Sequence, residues 1–198
     1  MKQIFYSILV ILTASMAQAA MGGNSYFFEP SVGYRTEVIK LTNKLNVESQ
    51  MKMQNPSYGL KIGYRSPTGI DLNLAGDYST GKTEWTPTQE RNNFTHRMAA
   101  AQLGINALGA MKIFLGYAFM NELQVEAGLL NPNIILKGPA YQAGIQLMLF
   151  SNVSVGAQYN VNQFDTVAGT SYTAGDKVEQ YFNKLDSVDY SFNLSLTF

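Results

Sequence analysis

Chemistry that moves protons or acyl groups needs a base beside a nucleophile, and this chain has one imidazole to offer, His96. Asp77 and Ser79 stand at the end of a neighbouring alternating segment, so a Ser/His/Asp cluster is geometrically conceivable. The same residues are ordinary occupants of the polar base of a loop, and that is the reading adopted: no catalytic residue is expected. With no cysteine there is no thiolate nucleophile and no Cys-ligated zinc. One histidine and no clustered Asp/Glu run offer nothing to a metal, and no cofactor motif is present.

A second group of charges recurs inside alternating segments: Glu29, Arg35, Lys61, Asp71, Asp77, Lys112 and Asp189. Each shares its row with small or polar residues such as Ser31, Gly33, Gly63, Asn73, Gly104, Gln102 and Asn193. Enclosed together in a narrow space, charges of both signs are expected to form a structural polar network, because an unpaired buried charge is costly.

The elements that must hold these groups are strands. Apolar residues alternate with polar ones over eight segments. Their apolar rows begin with Tyr26, Phe28, Pro30, Val32 and Tyr34, and then Tyr58, Leu60, Ile62 and Tyr64. The third row is Ile70, Leu72, Leu74, Gly76 and Tyr78; the fourth is Ala99, Ala101, Leu103, Ile105 and Ala107. Four more start at Ile113, Tyr141, Val153 and Val188. Connections alternate between short turns at Ser66-Pro67-Thr68, Gly109-Ala110 and Ser151-Asn152 and long polar stretches over 37–56, 79–97, 121–139 and 163–186. That rhythm predicts an all-β, eight-stranded antiparallel up-and-down barrel with both strand termini on the short-turn side.

Ahead of the strands, Lys2 precedes an unbroken apolar run over residues 4–14, and Ala17-Gln18-Ala19 has the form of a cleavage site. Residues 1–19 are therefore read as a signal peptide and 20–198 as one barrel domain. The chain balances 14 basic with 14 acidic residues, which argues against nucleic acid as a partner. Charged residues are only 14% of the total, with 12 Tyr and 11 Phe beside abundant Gly, Asn, Gln, Ser and Thr. A soluble barrel would turn its apolar face inward and clothe the outside in Lys and Glu. Here the apolar set is too large and too aromatic for so narrow an interior, and the polar set is mostly uncharged. Aromatic residues also gather near both strand ends, as interfacial belts require. The apolar face is expected to meet lipid: a transmembrane barrel of the bacterial outer membrane, with short periplasmic turns and long extracellular loops.

The C-terminal row Tyr190, Phe192, Leu194, Leu196, Phe198 is the most specific feature. With the eight-segment pattern, it resembles the small outer-membrane β-barrels of the OmpA, OmpX and OmpW types. The resemblance implies that this row is the signal read by the barrel-assembly machinery. It also implies a non-enzymatic structural or interaction role, with a small porin or hydrophobic-compound channel as the alternative and a lipid-modifying enzyme after that.

With the lumen expected to be closed, partners belong on the outside. Gly76, Ala99 and Ala101 leave a flat patch on the lipid face, a candidate barrel–barrel contact in a homo-oligomer. Lys40, Lys44, Lys52, Lys82, Arg91 and Arg97 are placed to meet the phosphates of lipopolysaccharide among the outer-membrane lipids. Trp85 and the Tyr181-Phe182 pair are candidate binding anchors. The segment 128–136, GLLNPNIIL, is unexpectedly apolar for a water-exposed loop.

Overall fold

A computed structural model describes residues 25–198 apart from 87, 108, 109, 130 and 131; the expected leader 1–19 and Gly109 thus lie outside the described residues. Long alternating segments become long strands: β1 (Ser25–Asn43), β2 (Glu48–Arg65), β3 (Ile70–Thr86), β4 (Arg91–Ala107) and β5 (Met111–Val125). Shorter pieces follow: β6 (Ile134–Lys137), β7 (Ala140–Met148), β8 (Val153–Asn162), β9 (Thr166–Gly169) and β10 (Tyr172–Lys177). One helical turn, α1 (Val178–Tyr181), leads into β11 (Phe182–Leu196).

All pairings are antiparallel, and β1 closes the cylinder by pairing with both β2 and β11. β6 and β7 both lie against β5, and β9 pairs with β6 much as β8 pairs with β7. Each couple therefore fills one place in the wall, interrupted at 138–139 and 163–165, and the barrel has eight strands. The last residue completes the closure: Phe28 and Phe198 exchange both backbone hydrogen bonds, at 3.0 and 2.9 Å. At the β2–β3 turn, Gly69 takes φ +82° and its N–H donates to the Ser66 carbonyl, a backbone shape that favours glycine.

Around the lower part of the barrel, on the short-turn side, the faces are as the alternation requires. Val32, Ile62, Leu74, Leu115 and Phe192 point outward and are exposed, while Glu29, Lys61, Asp71, Gln102 and Lys112 point inward and are buried. Aromatic rings mark both edges of this apolar belt, with Tyr26 stacked edge-on to Tyr64 at 5.6 Å and Tyr159 beside Tyr190 at 5.0 Å. A surface that is apolar all round, on a barrel whose inside is polar, fits lipid rather than water.

The stretches read as long loops are mostly not loops. β1 and β2 run on to a short tip at 44–47, and β3 runs on to Thr86 with β4 starting at Arg91. Over these extensions the two faces exchange character. On the inward row of β1, Arg35 and Glu37 give way to Ile39 and Leu41, while Lys40 is exposed on the outward row. Met51, Met53, Trp85, Phe94, Leu123, Val125, Ile134 and Leu136 join them in one buried apolar cluster, with Phe164, Val167 and Val178. The upper half is thus built like a water-soluble barrel, apolar inside and polar outside, standing on a lower half built the other way. In β5 the phase change needs a bulge: Phe119 and Met120 are both exposed, Ala99 pairs with Met120 and Ala100 with Ala118. Below the bulge Phe114 and Ala118 face inward; above it Asn121, Leu123 and Val125 do.

Candidate functional site

The interior is layered. Nearest the short turns, Lys61 Nζ stands 3.4 Å from Glu29, and the Gln146 amide also donates to Glu29 at 3.1 Å. Ser154 and Ser195 complete that corner with Gln146. Asp71, fully buried, is held by Lys112 at 2.9 Å and by both Nε and Nη2 of Arg65, at 2.9 and 3.0 Å. The Lys61 ammonium lies 4.7 Å from the Phe114 ring centroid, and Phe27 lies beneath both Arg65 and Lys112. These contacts lower the cost of burying the cations.

The next layer centres on Glu37 and His96. His96 Nδ1 meets Glu37 Oε2 at 2.8 Å, and Nε2 meets Asn121 Oδ1 at 2.6 Å. The amide of Asn162 donates to Glu37 at 3.1 Å and to Asp189 at 3.1 Å; Ser187 donates to Glu37 at 3.0 Å. Arg35 reaches Asp189 at 3.4 Å, and the Asn160 amide also donates to Asp189. Above this layer lies the apolar cluster.

The seven charges expected to share the lumen all face it. The structure brings Lys61 to Glu29, Lys112 to Asp71 and Arg35 to Asp189. Asp77 is half-buried and forms no ion pair among the described residues. Arg65, Glu37, Asn121, Asn162 and Ser187 were missed. Glu37 was within reach, since it continues the inward parity of Arg35 by two residues. Asn121 was hidden by the bulge.

His96 is not a loop-base residue. It lies within β4 on the inward face, fully buried. Ser79 sits opposite it in register, but both ring nitrogens engage other partners and Ser79 Oγ has no hydrogen-bond partner. The Ser/His/Asp cluster is therefore not assembled, and among the described residues no group of His, Cys, Asp and Glu is disposed to hold a metal. Trp85 is likewise no exposed anchor: it packs inside the upper cluster, and Tyr181 and Phe182 lie against it. Of the described residues in the apolar segment 128–136, Ile134 and Leu136 fill the core, while Leu129 is 98% exposed.

On the lipid face, Gly76 opposes Ala99 and Leu74 opposes Ala101, whose other neighbour is Tyr117. A Cβ on Gly76 would meet nothing within 4 Å, so the surface there is open. From Ala101 a shallow, open depression runs between Leu74 and Tyr117 toward Tyr26 and Tyr64 of the lower aromatic edge.

No protein-family model matches the sequence, and no curated protein matches it. Solved structures do match the fold. Ail, the attachment invasion locus protein of Yersinia pestis, superposes with a TM-score of 0.57 at 14% identity, covering 90% of this chain and 100% of that one. The outer membrane protein AlkL gives 0.56 at 13% identity, covering 90% and 93%. The outer membrane protein OprG of Pseudomonas aeruginosa gives 0.52 at 12%, covering 90% and 99%.

Proposed function

We propose, from the premise that this fold is that of the small outer-membrane β-barrels, that the chain is a non-enzymatic barrel sealed along its axis. Its work is done outside, by the surface of the upper column and by the lipid face. One observation carries this reading: the inward row turns from paired polar groups to packed apolar ones on leaving the belt. Ions would have to cross charge pairs in the lower half and then a mainly apolar core in which Thr83 and Asn92 are among the few buried polar side chains. Two ring nitrogens committed to Glu37 and Asn121 speak against catalysis at the one histidine. During insertion the row Tyr190, Phe192, Leu194, Leu196, Phe198 serves as the mark for the barrel-assembly machinery. Planar-bilayer recording of the purified protein tests the sealed axis. No steady single-channel current is expected; a large, stable one would refute the reading.

A second reading, a hydrophobic-compound channel, draws on one feature. β10 pairs with β9, and the upper part of β11 pairs with β1, but no ladder joins β10 to β11. Uptake of an apolar dye into vesicles carrying the barrel, with no ionic current, would favour it.

A further inference from the structure

Just below the apolar cluster, four buried side chains form one closed ring of hydrogen bonds. They are Glu37 on β1, His96 on β4, Asn121 on β5 and Asn162 on β8. Ser187 and Asp189 of β11 join it from the side. Ile39, Phe94, Leu123 and Phe164 of the apolar cluster each stand two positions along the chain from a ring member. The ring is thus the floor on which the upper core rests.

The carboxylates decide the direction of every bond in it. One atom of the Asn162 amide lies 3.1 Å from Glu37 and 3.1 Å from Asp189. Asp189, which also receives Arg35 and Asn160, only accepts, so that atom is the amide nitrogen. The Asn162 carbonyl oxygen is left to accept from the Asn121 amide nitrogen at 3.1 Å. This turns the Asn121 carbonyl oxygen toward Nε2 of His96, and Nε2 must carry a proton. The other ring nitrogen, Nδ1, faces Glu37 Oε2 at 2.8 Å, where two lone pairs would repel, so a proton lies there too. Glu37 accepts from Ser187 and Asn162 at its other oxygen, bonds that favour the carboxylate. The second proton therefore belongs to the imidazole.

The charged groups that act on this ring are Glu37, Arg35 and Asp189. Arg35 Nη1 stands 3.4 Å from Nδ1, while its Nε lies 3.4 Å from Asp189, and Asp77 of β3 acts on the same guanidinium. Ser79, opposite on β3, and Asn121 on β5 are uncharged, and the Phe164 ring lies 6.5 Å away. Opposite charges therefore surround the imidazole on the β1 and β11 sides, with no cation but Arg35 beside it.

We propose that His96 is held as a doubly protonated imidazolium at neutral pH and that its Nδ1 proton latches the ring shut. Without that proton a bare nitrogen faces a carboxylate at 2.8 Å, and the floor of the upper core loosens. The inference concerns the interior alone and holds whether or not the axis conducts.

His96 is the one histidine of the chain, so its ring signals are unambiguous in 15N-labelled protein refolded into lipid vesicles without a histidine tag. Nitrogen NMR at neutral pH should show a proton on both ring nitrogens; a ring nitrogen without one would overturn the proposal. As pH is raised, the Nδ1 proton should leave in one step. Exchange of the Asn121 and Asn162 side-chain amide protons should quicken about tenfold or more in that same step. Amide protons that stay protected through it would overturn the latch. Glu37→Gln separates the proton from the packing, since a glutamine amide donates to Nδ1 while its oxygen still accepts from Ser187 and Asn162. That variant should fold, carry one ring proton, on Nε2, at neutral pH, and lack the titration step. Two ring protons in it would remove Glu37 as the cause and the proposal with it. The two readouts in the unaltered protein do not depend on the variant's folding.

Discussion

Glu37 Oε2 and His96 Nδ1 meet 2.8 Å apart inside the barrel, although 59 residues separate them along the chain. The pair sits where polar packing gives way to apolar, with Asn121, Asn162 and Ser187 taking up its remaining lone pairs and protons. Breaking it by one side leaves the other with a hydrogen-bonding position unmet inside the barrel. His96→Leu or Glu37→Leu alone should each destabilise the barrel by about 3–5 kcal/mol, and the double variant by clearly less than the sum. Guanidinium unfolding from lipid vesicles measures this; strictly additive losses would show that the two side chains do not act as a pair.

The upper apolar cluster should behave as a core in its own right. Leu123→Ala and Leu136→Ala should each cost about 2–5 kcal/mol, since both side chains are fully enclosed. Leu136→Asp should go further and loosen the column while leaving the lower belt folded. Limited proteolysis then cuts within 37–56 or 121–139, and the remainder keeps its heat-dependent mobility on gels. Unchanged resistance to protease would contradict a packed upper half.

Two glycines should respond in opposite ways. A Cβ on Gly33 would run into the backbone carbonyl of Phe192 and the Cα of Asn193, neither of which can yield without moving β11. A Cβ on Gly76 meets nothing within 4 Å. Gly33→Ala should impair folding into vesicles, while Gly76→Ala should be neutral or slightly stabilising. Refolding yields that match for the two would remove close backbone approach as the reason for Gly33.

At the top of the column the Tyr181 hydroxyl donates to Asp176, and this hydrogen bond, before burial, holds the phenol above the ordinary tyrosine value. With the folded value raised, the contact's contribution is complete below the unfolded tyrosine value of about 10 and is lost as pH rises through the folded one. An NMR titration of the Tyr181 ring Cζ should give a midpoint that falls in Asp176→Asn. An unmoved midpoint would mean that Asp176 is not the cause.

The lower half was legible because its two rows differ so plainly: Val32 and Tyr34 against Ser31, Gly33 and Arg35. A single register satisfies every strand. The upper half was misread for a physical reason. A reader following the apolar row along β1 meets Thr36, then Val38, then Lys40 and Thr42, and concludes that the strand has ended, while Ile39 and Leu41 on the other row look like scattered loop residues. In β5 the bulge at Phe119 and Met120 breaks the count as well. The charged lumen rows were also visible, but not who pairs with whom. Glu29 joins Lys61 across 32 positions of chain and Arg35 joins Asp189 across 154, distances that alternation cannot encode.

The exchange of faces between the two halves also constrains how the protein is made. Side chains such as Ile39, Met51 and Trp85 find shelter only once the hairpin ends that carry them have crossed the bilayer and come together on the far side. Until then the tips travel with their greasy residues unsheltered and Lys40 and Lys52 beside them. The final locking of the molecule must therefore follow translocation, and the column's collapse can pull the last tips through.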